Sequence, residues 1–244
     1  MRLVQITDAH LYADKQARSR AGVPWVHLQR VLEAVSAERP DFVVFSGDVS
    51  QDETAASYAL AIEAMSQLTC PWAWLAGNHD QPTLMQDERP LIDEVDLSAW
   101  RLLLLHTPVE GEPYGELGPE ALATLATQLE ADDRPTVIVM HHPPVDVGAA
   151  WMDAIGLQDR EAFWQVVSAF PQVKVILFGH AHQAYAQRHA AGEHAVAVYG
   201  CPAISDQFMP GAAHFMVDEA SRPGYRIVEL MDQQWETWIE RVSV

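Results

Sequence analysis

Trp72-Ala73-Trp74-Leu75-Ala76-Gly77-Asn78-His79-Asp80 joins a short apolar run directly to residues that carry chemistry. The apolar half has the length and composition of a buried strand. The polar half offers an amide, an imidazole and a carboxylate behind a glycine, and Asn78 is the only asparagine in the chain. The same construction recurs along the sequence. Leu3–Ile6 leads to Asp8-Ala9-His10, and Phe42–Phe45 leads to Gly47-Asp48-Val49-Ser50-Gln51-Asp52. Val137–Met140 runs into His141-His142-Pro143-Pro144, and Val173–Phe178 runs into Gly179-His180-Ala181-His182. A sixth apolar run, Leu102–Leu105, ends in His106-Thr107.

Helical patterns separate several of these strands, at Val26–Glu38, Thr54–Leu68, Pro119–Glu130 and Arg160–Phe170. Alternating strands and helices predict a layered α/β fold. In such sheets ligands bind beyond the carboxyl ends of the strands, where the polar clusters fall. Later in the chain the helical patterns stop. His194–Tyr199, His214–Val217, Tyr225–Leu230 and Trp235–Val242 read as strands near hairpin-like turns, which predicts a second, mostly antiparallel sheet. No internal repeat or Gly/Ser-rich linker interrupts the sequence, so residues 1–244 read as one domain.

The 244 residues include 15 basic and 34 acidic side chains, a net charge of −19. That balance argues against binding nucleic acid or anionic membrane surfaces. It would also repel a phosphate substrate unless bound cations reverse the local field. The 2 cysteines, Cys70 and Cys201, form no pair motif and read as small buried hydrophobes, with a reducing cytoplasm as the expected compartment. The N-terminus lacks the apolar stretch of a signal peptide, and no apolar run is long enough to span a membrane.

Together the five strand ends supply two aspartates, one asparagine and at least four histidines. Carboxylate, amide and imidazole donors without thiolate suit manganese, iron or zinc rather than calcium or an iron–sulfur cluster. Seven ligand residues are too many for one such ion and fit two ions sharing a carboxylate. On an extended strand His141 and His142 would point to opposite faces, whereas His180 and His182 can face the same way.

In order, Asp8-x-His10, Gly47-Asp48, Gly77-Asn78-His79-Asp80, His141 and Gly179-His180-x-His182 resemble the signature blocks of the calcineurin-like metallophosphoesterases. The likeness is closer still to the bacterial class III 3′,5′-cyclic nucleotide phosphodiesterases of the CpdA type. It extends to Gly115-Glu116-Leu117, Trp151-Met152-Asp153 and Gln207-Phe208, and covers nearly the whole chain. The resemblance implies a four-layer α/β/β/α sandwich with two mixed β-sheets and a binuclear site at the strand ends. One metal would be held by Asp8, His10, Asp48 and His182, the other by Asp48, Asn78, His141 and His180, with Asp48 bridging. The spacing from His141 to Trp151 selects His141 over His142. His106-Thr107 departs from the Asp-Ser expected there, which implies altered surroundings rather than a lost ligand.

The implied reaction is hydrolysis of 3′,5′-cyclic AMP to 5′-AMP. Two metals would clamp a bridging water and lower its pKa toward neutrality. His10, Asp48, Asn78, His141 and His182 would meet the phosphoryl group on the metal side. His79 would protonate the leaving oxygen, oriented by Asp52 or Asp80. Arg18, Arg20 and Gly22 are candidates for ribose or phosphate contact, Trp151 for the base, and Cys201–Phe208 for a pocket wall. Alternative substrates are another phosphodiester or a phosphomonoester, such as a glycerophosphodiester, a nucleotide or a lipid-linked pyrophosphate. A non-catalytic scaffold is the third reading, and the complete ligand set argues against it. The expected partner is a small cyclic nucleotide; the oligomeric state stays open, related proteins often forming homodimers.

Overall fold

The computed structural model describes residues 1–244. Its first half contains β1 (Arg2–Ile6), α1 (Pro24–Ala37), β2 (Phe42–Ser46), α2 (Ala55–Met65), β3 (Trp72–Leu75), α3 (Pro82–Glu88), β4 (Glu94–Leu97), β5 (Trp100–Leu105) and α4 (Gly118–Ala131). The second half contains β6 (Thr136–Met140), α5 (Ala150–Asp153), α6 (Arg160–Val167), β7 (Val173–Phe178), β8 (Tyr185–Ala191), β9 (His194–Gly200), β10 (Gly224–Met231) and β11 (Gln234–Arg241). They form a five-stranded sheet, ordered β11-β10-β1-β2-β3, and a six-stranded sheet, ordered β4-β5-β6-β7-β9-β8.

Side-chain alternation builds the layers, because successive residues of a strand face opposite ways. Leu3, Val44, Leu75, Leu102, Val139 and Leu177 share one core, sandwiched between the two sheets. Their neighbours Val4, Phe45 and Trp74 turn outward and pack with Leu28 of α1 and Tyr58 of α2. On the other sheet Leu103, Ile138 and Ile176 turn outward against Leu125 of α4 and Phe163 of α6. The result is the expected α/β/β/α sandwich.

The strands β1, β2 and β3 run parallel, as do β5, β6, β7 and β9. Gln5 ties the two sheets together at their carboxyl edge, donating through Nε2 to Ser46 Oγ (2.8 Å) and to the Phe178 carbonyl (3.1 Å). The Asp8 amide donates to the Gly47 carbonyl at 3.0 Å, and the Gly179 amide to the His141 carbonyl at 3.1 Å. All five polar strand ends therefore meet at one edge.

The end of the chain departs from the sequence reading. The late strands make no sheet of their own. Instead the β8–β9 hairpin extends the six-stranded sheet beside β7, and the β10–β11 hairpin extends the other beside β1. Each hairpin covers the open edge that the parallel strands would otherwise leave. His214–Val217 forms no strand. It keeps a single bridge from Val217 to Phe208, and Phe215 and Met216 stay 45% and 53% exposed.

Candidate metal centre

The candidate ligands sit in an unusual backbone conformation. Asp8, His10, Asp48, His180 and His182 all have φ between 50° and 61°. This left-handed region is sparsely used by L-residues and persists where surrounding structure enforces it, commonly at functional sites. Here the bends turn side chains inward at the point where each strand stops. Two glycines make room: a Cβ on Gly47 would lie 2.4 Å from His141 Nδ1, and one on Gly77 would lie 2.2 Å from Asp48 Oδ1.

Asp8, His10, Asp48 and His182 bring their ligand atoms within 4.8 Å of one another, and His141, His142 and His180 do the same. Asp48 stands between the groups, with Oδ2 3.5 Å from His10 Nε2 and 3.3 Å from His141 Nε2. His182 Nε2 lies 3.1 Å from Asp8 Oδ1.

The hydrogen bonds around these rings test whether cations belong here. His10 Nδ1 faces Gln51 Oε1 at 2.9 Å, His141 Nδ1 the Ser46 carbonyl at 2.9 Å, and His182 Nδ1 the Asp206 carbonyl at 2.6 Å. Each acceptor calls for a proton on Nδ1, so each Nε2 presents a lone pair to the centre. The Nε2 atoms of His10 and His182 lie 3.2 Å apart. Asn78 Oδ1, His141 Nε2 and His180 Nε2 are buried and have no hydrogen-bond partner. Converging buried acceptors without donors are costly, and a cation among them removes the cost. The residues fit two metal ions.

The electrostatics divide the rings: burial keeps His10 and His180 toward the neutral form, while against burial the carboxylates of Asp48 and Asp8 push His141 and His182 toward the charged one. Burial pushes the His10 imidazole down to about 4, although Asp48 pulls the other way. Burial, with the neighbouring His142 and His141, holds His180 well below the usual imidazole range. Burial would raise Asp48, but His141 outweighs it and keeps the carboxyl well below its ordinary value. Burial likewise opposes charge on His141, yet Asp48 lifts that imidazole to about 9. Ionised Asp48 and neutral His10 and His180 are the forms that ligate; a metal must displace the proton on His141.

The family model for calcineurin-like phosphoesterases matches residues 1–184. The chain belongs to that family. It is 37% identical over 239 residues to the 3′,5′-cyclic adenosine monophosphate phosphodiesterase CpdA of Vibrio vulnificus, covering 94% of this chain and 85% of the relative. It is 35% identical over 250 residues to the protein of the same name from Pseudomonas aeruginosa, covering 99% and 90%. Among solved structures, a dimetal phosphatase from Danio rerio superposes with a TM-score of 0.71 at 13% identity, covering 99% of both chains. Purple acid phosphatase from yellow lupin gives 0.66 at 13% identity, over 98% of this chain and 51% of that one. At such identity these two speak for the fold alone.

In this calcineurin-like phosphoesterase the surroundings of the centre correct the sequence reading in three places. His141 and His142 do not point apart, because β6 ends at Met140 and the pair lies in a bend. Both rings crowd His180, with centroids 5.1 and 4.6 Å away. His142 is held there by Thr107, whose hydroxyl lies 2.8 Å from its Nδ1. Secondly, neither Asp52 nor Asp80 reaches the His79 ring. Asp80 accepts from the amides of Val49, Ser50 and Gly77 at 2.9–3.1 Å and so binds two ligand loops together. Asp52 accepts from the Ala13 amide and the Thr54 hydroxyl. The neighbour of His79 Nδ1 is the Gln51 amide at 3.5 Å, a residue that sequence reasoning passed over inside the quoted Gly47–Asp52 block. Thirdly, Gly22 abuts His27 rather than the site, and Cys201 is buried behind it, Sγ facing the Gln5 carbonyl.

A cleft of about 600 Å³ opens over His10, His79 and His182, and Arg18, Arg20 and Phe208 also line it. Phe208 stacks on the His182 ring, 4.0 Å between centroids and 6° from parallel. Trp151 packs edgewise on Phe208 and Phe215, each at 5.4 Å. Asp206, inside the Cys201–Phe208 stretch offered as a pocket wall, lines the cleft too; its carboxylate accepts from Ser19 Oγ (2.8 Å) and the Ala21 amide (2.6 Å), while its carbonyl anchors His182. No helix is long and apolar enough to cross a membrane.

Proposed function

We propose that this phosphoesterase is a binuclear-metal phosphodiesterase that hydrolyses 3′,5′-cyclic AMP to 5′-AMP. The observation that carries the metal chemistry is the pair of clustered groups, Asp8–His10–Asp48–His182 and His141–His142–His180, together with the buried, partnerless Oδ1 of Asn78 and Nε2 atoms of His141, His142 and His180. Asp8, His10, Asp48 and His182 would hold one ion; Asp48, Asn78, His141 and His180 would hold the other. The sulfur-free donor set favours manganese, iron or zinc. Bound there, two cations supply an activated water and take up phosphoryl charge.

The chain's own groups do the rest. Asp48 is fixed by the His79 amide, which donates to its Oδ1 at 2.9 Å. That bond also pins His79 at the rim of the cleft, its ring edge-on to His10 at 5.1 Å. His79 would give a ring proton to the leaving 3′-oxygen as the P–O bond breaks. Arg18, paired with no carboxylate, offsets the field of an acidic protein where an anion must enter. The cyclic nucleotide as substrate is carried over from the relatives named above, and two unpaired cysteines support a cytoplasmic location.

The test is a product assay with Mn²⁺-loaded protein and 3′,5′-cyclic AMP. We expect 5′-AMP, near-complete loss in Asn78→Ala, and a kcat loss of about 10²–10⁴ in His79→Ala with metal content retained. Cleavage of an aryl phosphodiester but not cyclic AMP would keep the metal chemistry and overturn the substrate. Light scattering on the same sample decides the homodimer expectation.

A further inference from the structure

The segment Arg18–Ala21 approaches the cleft from one side and the exposed Phe208–Val217 segment from another. Arg20 belongs to the first and Phe215 to the second. The Arg20 guanidinium lies over the Phe215 ring, 4.9 Å from its centroid. Both residues line the cleft that holds His10, His79 and His182. Both are exposed, and Arg20 has no carboxylate partner although acidic side chains outnumber basic ones 34 to 15. An unpaired guanidinium in such a chain is not serving a surface ion pair.

We propose that Arg20, backed by Phe215, is the platform on which a planar heteroaromatic base stacks while the phosphoryl group sits at the metals. Guanidinium planes stack on aromatic faces from either side, so Arg20 can carry a base on the face that Phe215 leaves free. This proposal rests on the nucleotide-phosphodiesterase reading above and names the contact that would make that site select a nucleotide.

Three features fix the platform relative to the chemistry. Asp206 grips the Arg18–Ala21 segment on both sides of Arg20, through Ser19 Oγ and the Ala21 amide. The carbonyl of the same residue anchors His182. Phe208, stacked on His182, meets Phe215 edge-on at 5.2 Å, and Trp151 braces both rings. The Met209 amide donates to the Met216 carbonyl at 2.8 Å, which folds Phe215 back toward Phe208. Platform and candidate ligand are thus linked through Asp206 and through Phe208, and the base-binding surface is built from parts already in place.

Plane and charge can be separated. Arg20→Lys keeps the charge and loses the plane; Arg20→Met loses both; Phe215→Ala removes the backing. With Mn²⁺-loaded protein, we expect all three to raise KM for 3′,5′-cyclic AMP by about tenfold with kcat nearly unchanged. Methyl p-nitrophenyl phosphate, which carries no base, should be cleaved by all three as by the parent chain. Calorimetric titration with 5′-AMP should show the same loss of affinity. If Arg20→Lys binds both nucleotides as the parent does, the guanidinium plane is not a platform and the proposal is overturned. If the base-free ester suffers equally, Arg20 serves the phosphate instead, which also overturns it. A parent chain that cleaves only the base-free ester would sink the substrate reading itself, a result distinct from either.

Discussion

Eleven histidines look alike as letters, yet the structure divides them by what their Nδ1 atoms touch and by what is left over. His10, His141 and His182 set Nδ1 on an oxygen acceptor and turn Nε2 into a cluster of other acceptors. His27 is equally buried and sets Nδ1 toward the Ile204 carbonyl at 3.3 Å, but its other edge packs against Gly22, so it is structural. Burial holds its imidazole below the ordinary value of 6.5, the Ile204 carbonyl opposing in part. The unfolded chain therefore takes up a proton near that pH while the folded chain stays neutral. Stability from this residue is present above the unfolded value and declines as pH falls below it. Comparing urea midpoints at about pH 7.5 and about pH 5.5 should show a smaller drop for His27→Gln than for the parent chain. Which histidines end a strand was readable from order alone. Which buried histidine lacks a free nitrogen was not, because Gly22 and Ile204 meet His27 only through the fold.

Strands with two covered faces announced themselves as continuous apolar runs, and β3 and β7 fall where the sequence put them. The elements that escaped notice are those without that signal. β8, Tyr185–Ala191, is an edge strand with most of its side chains exposed, so neither alternation nor an apolar run marks it. β4 pairs with β5 on one side only and reads Glu-Val-Asp-Leu. Helix starts were more legible. Thr54 lies just ahead of α2, and its Oγ1 accepts from the Ser57 amide at 3.2 Å. The same hydroxyl donates to Asp52, tying the start of the helix to the loop that follows Asp48. Thr54→Ala should cost about 1 kcal/mol in urea unfolding, the usual worth of such a cap. Thr54→Ser, which keeps the hydroxyl, should recover most of it.

At the scale of the molecule, the net charge of −19 sets the terms for metal binding. An acidic protein that gathers further carboxylates at one edge is eased by cations there, and loses that relief on chelation. Anything that binds only the folded state stabilises it by mass action. We expect Mn²⁺ at about a hundred times its dissociation constant to add about 2.7 kcal/mol over the chelated protein. Calorimetric scans with and without EDTA check this, and Asn78→Ala should shrink the gap. Added salt should stabilise the chelated protein more than the loaded one, since it screens repulsion the metal has already relieved.

The donors at the centre come from different sheets. Asp8, His10, Asp48 and Asn78 follow β1, β2 and β3, whereas His141, His180 and His182 follow β6 and β7. Moreover, every strand of the six-stranded sheet lies between Glu94 and Gly200, an unbroken stretch enclosed by the strands of the other. Two ions bound here would act as a clasp across a seam. A chain cut in the exposed stretch near Gly111 would leave each fragment with only part of the donors for either ion. Reassembly of such fragments should then follow the concentration of free metal, so one titration would report both whether the halves have found each other and whether the enzyme can work.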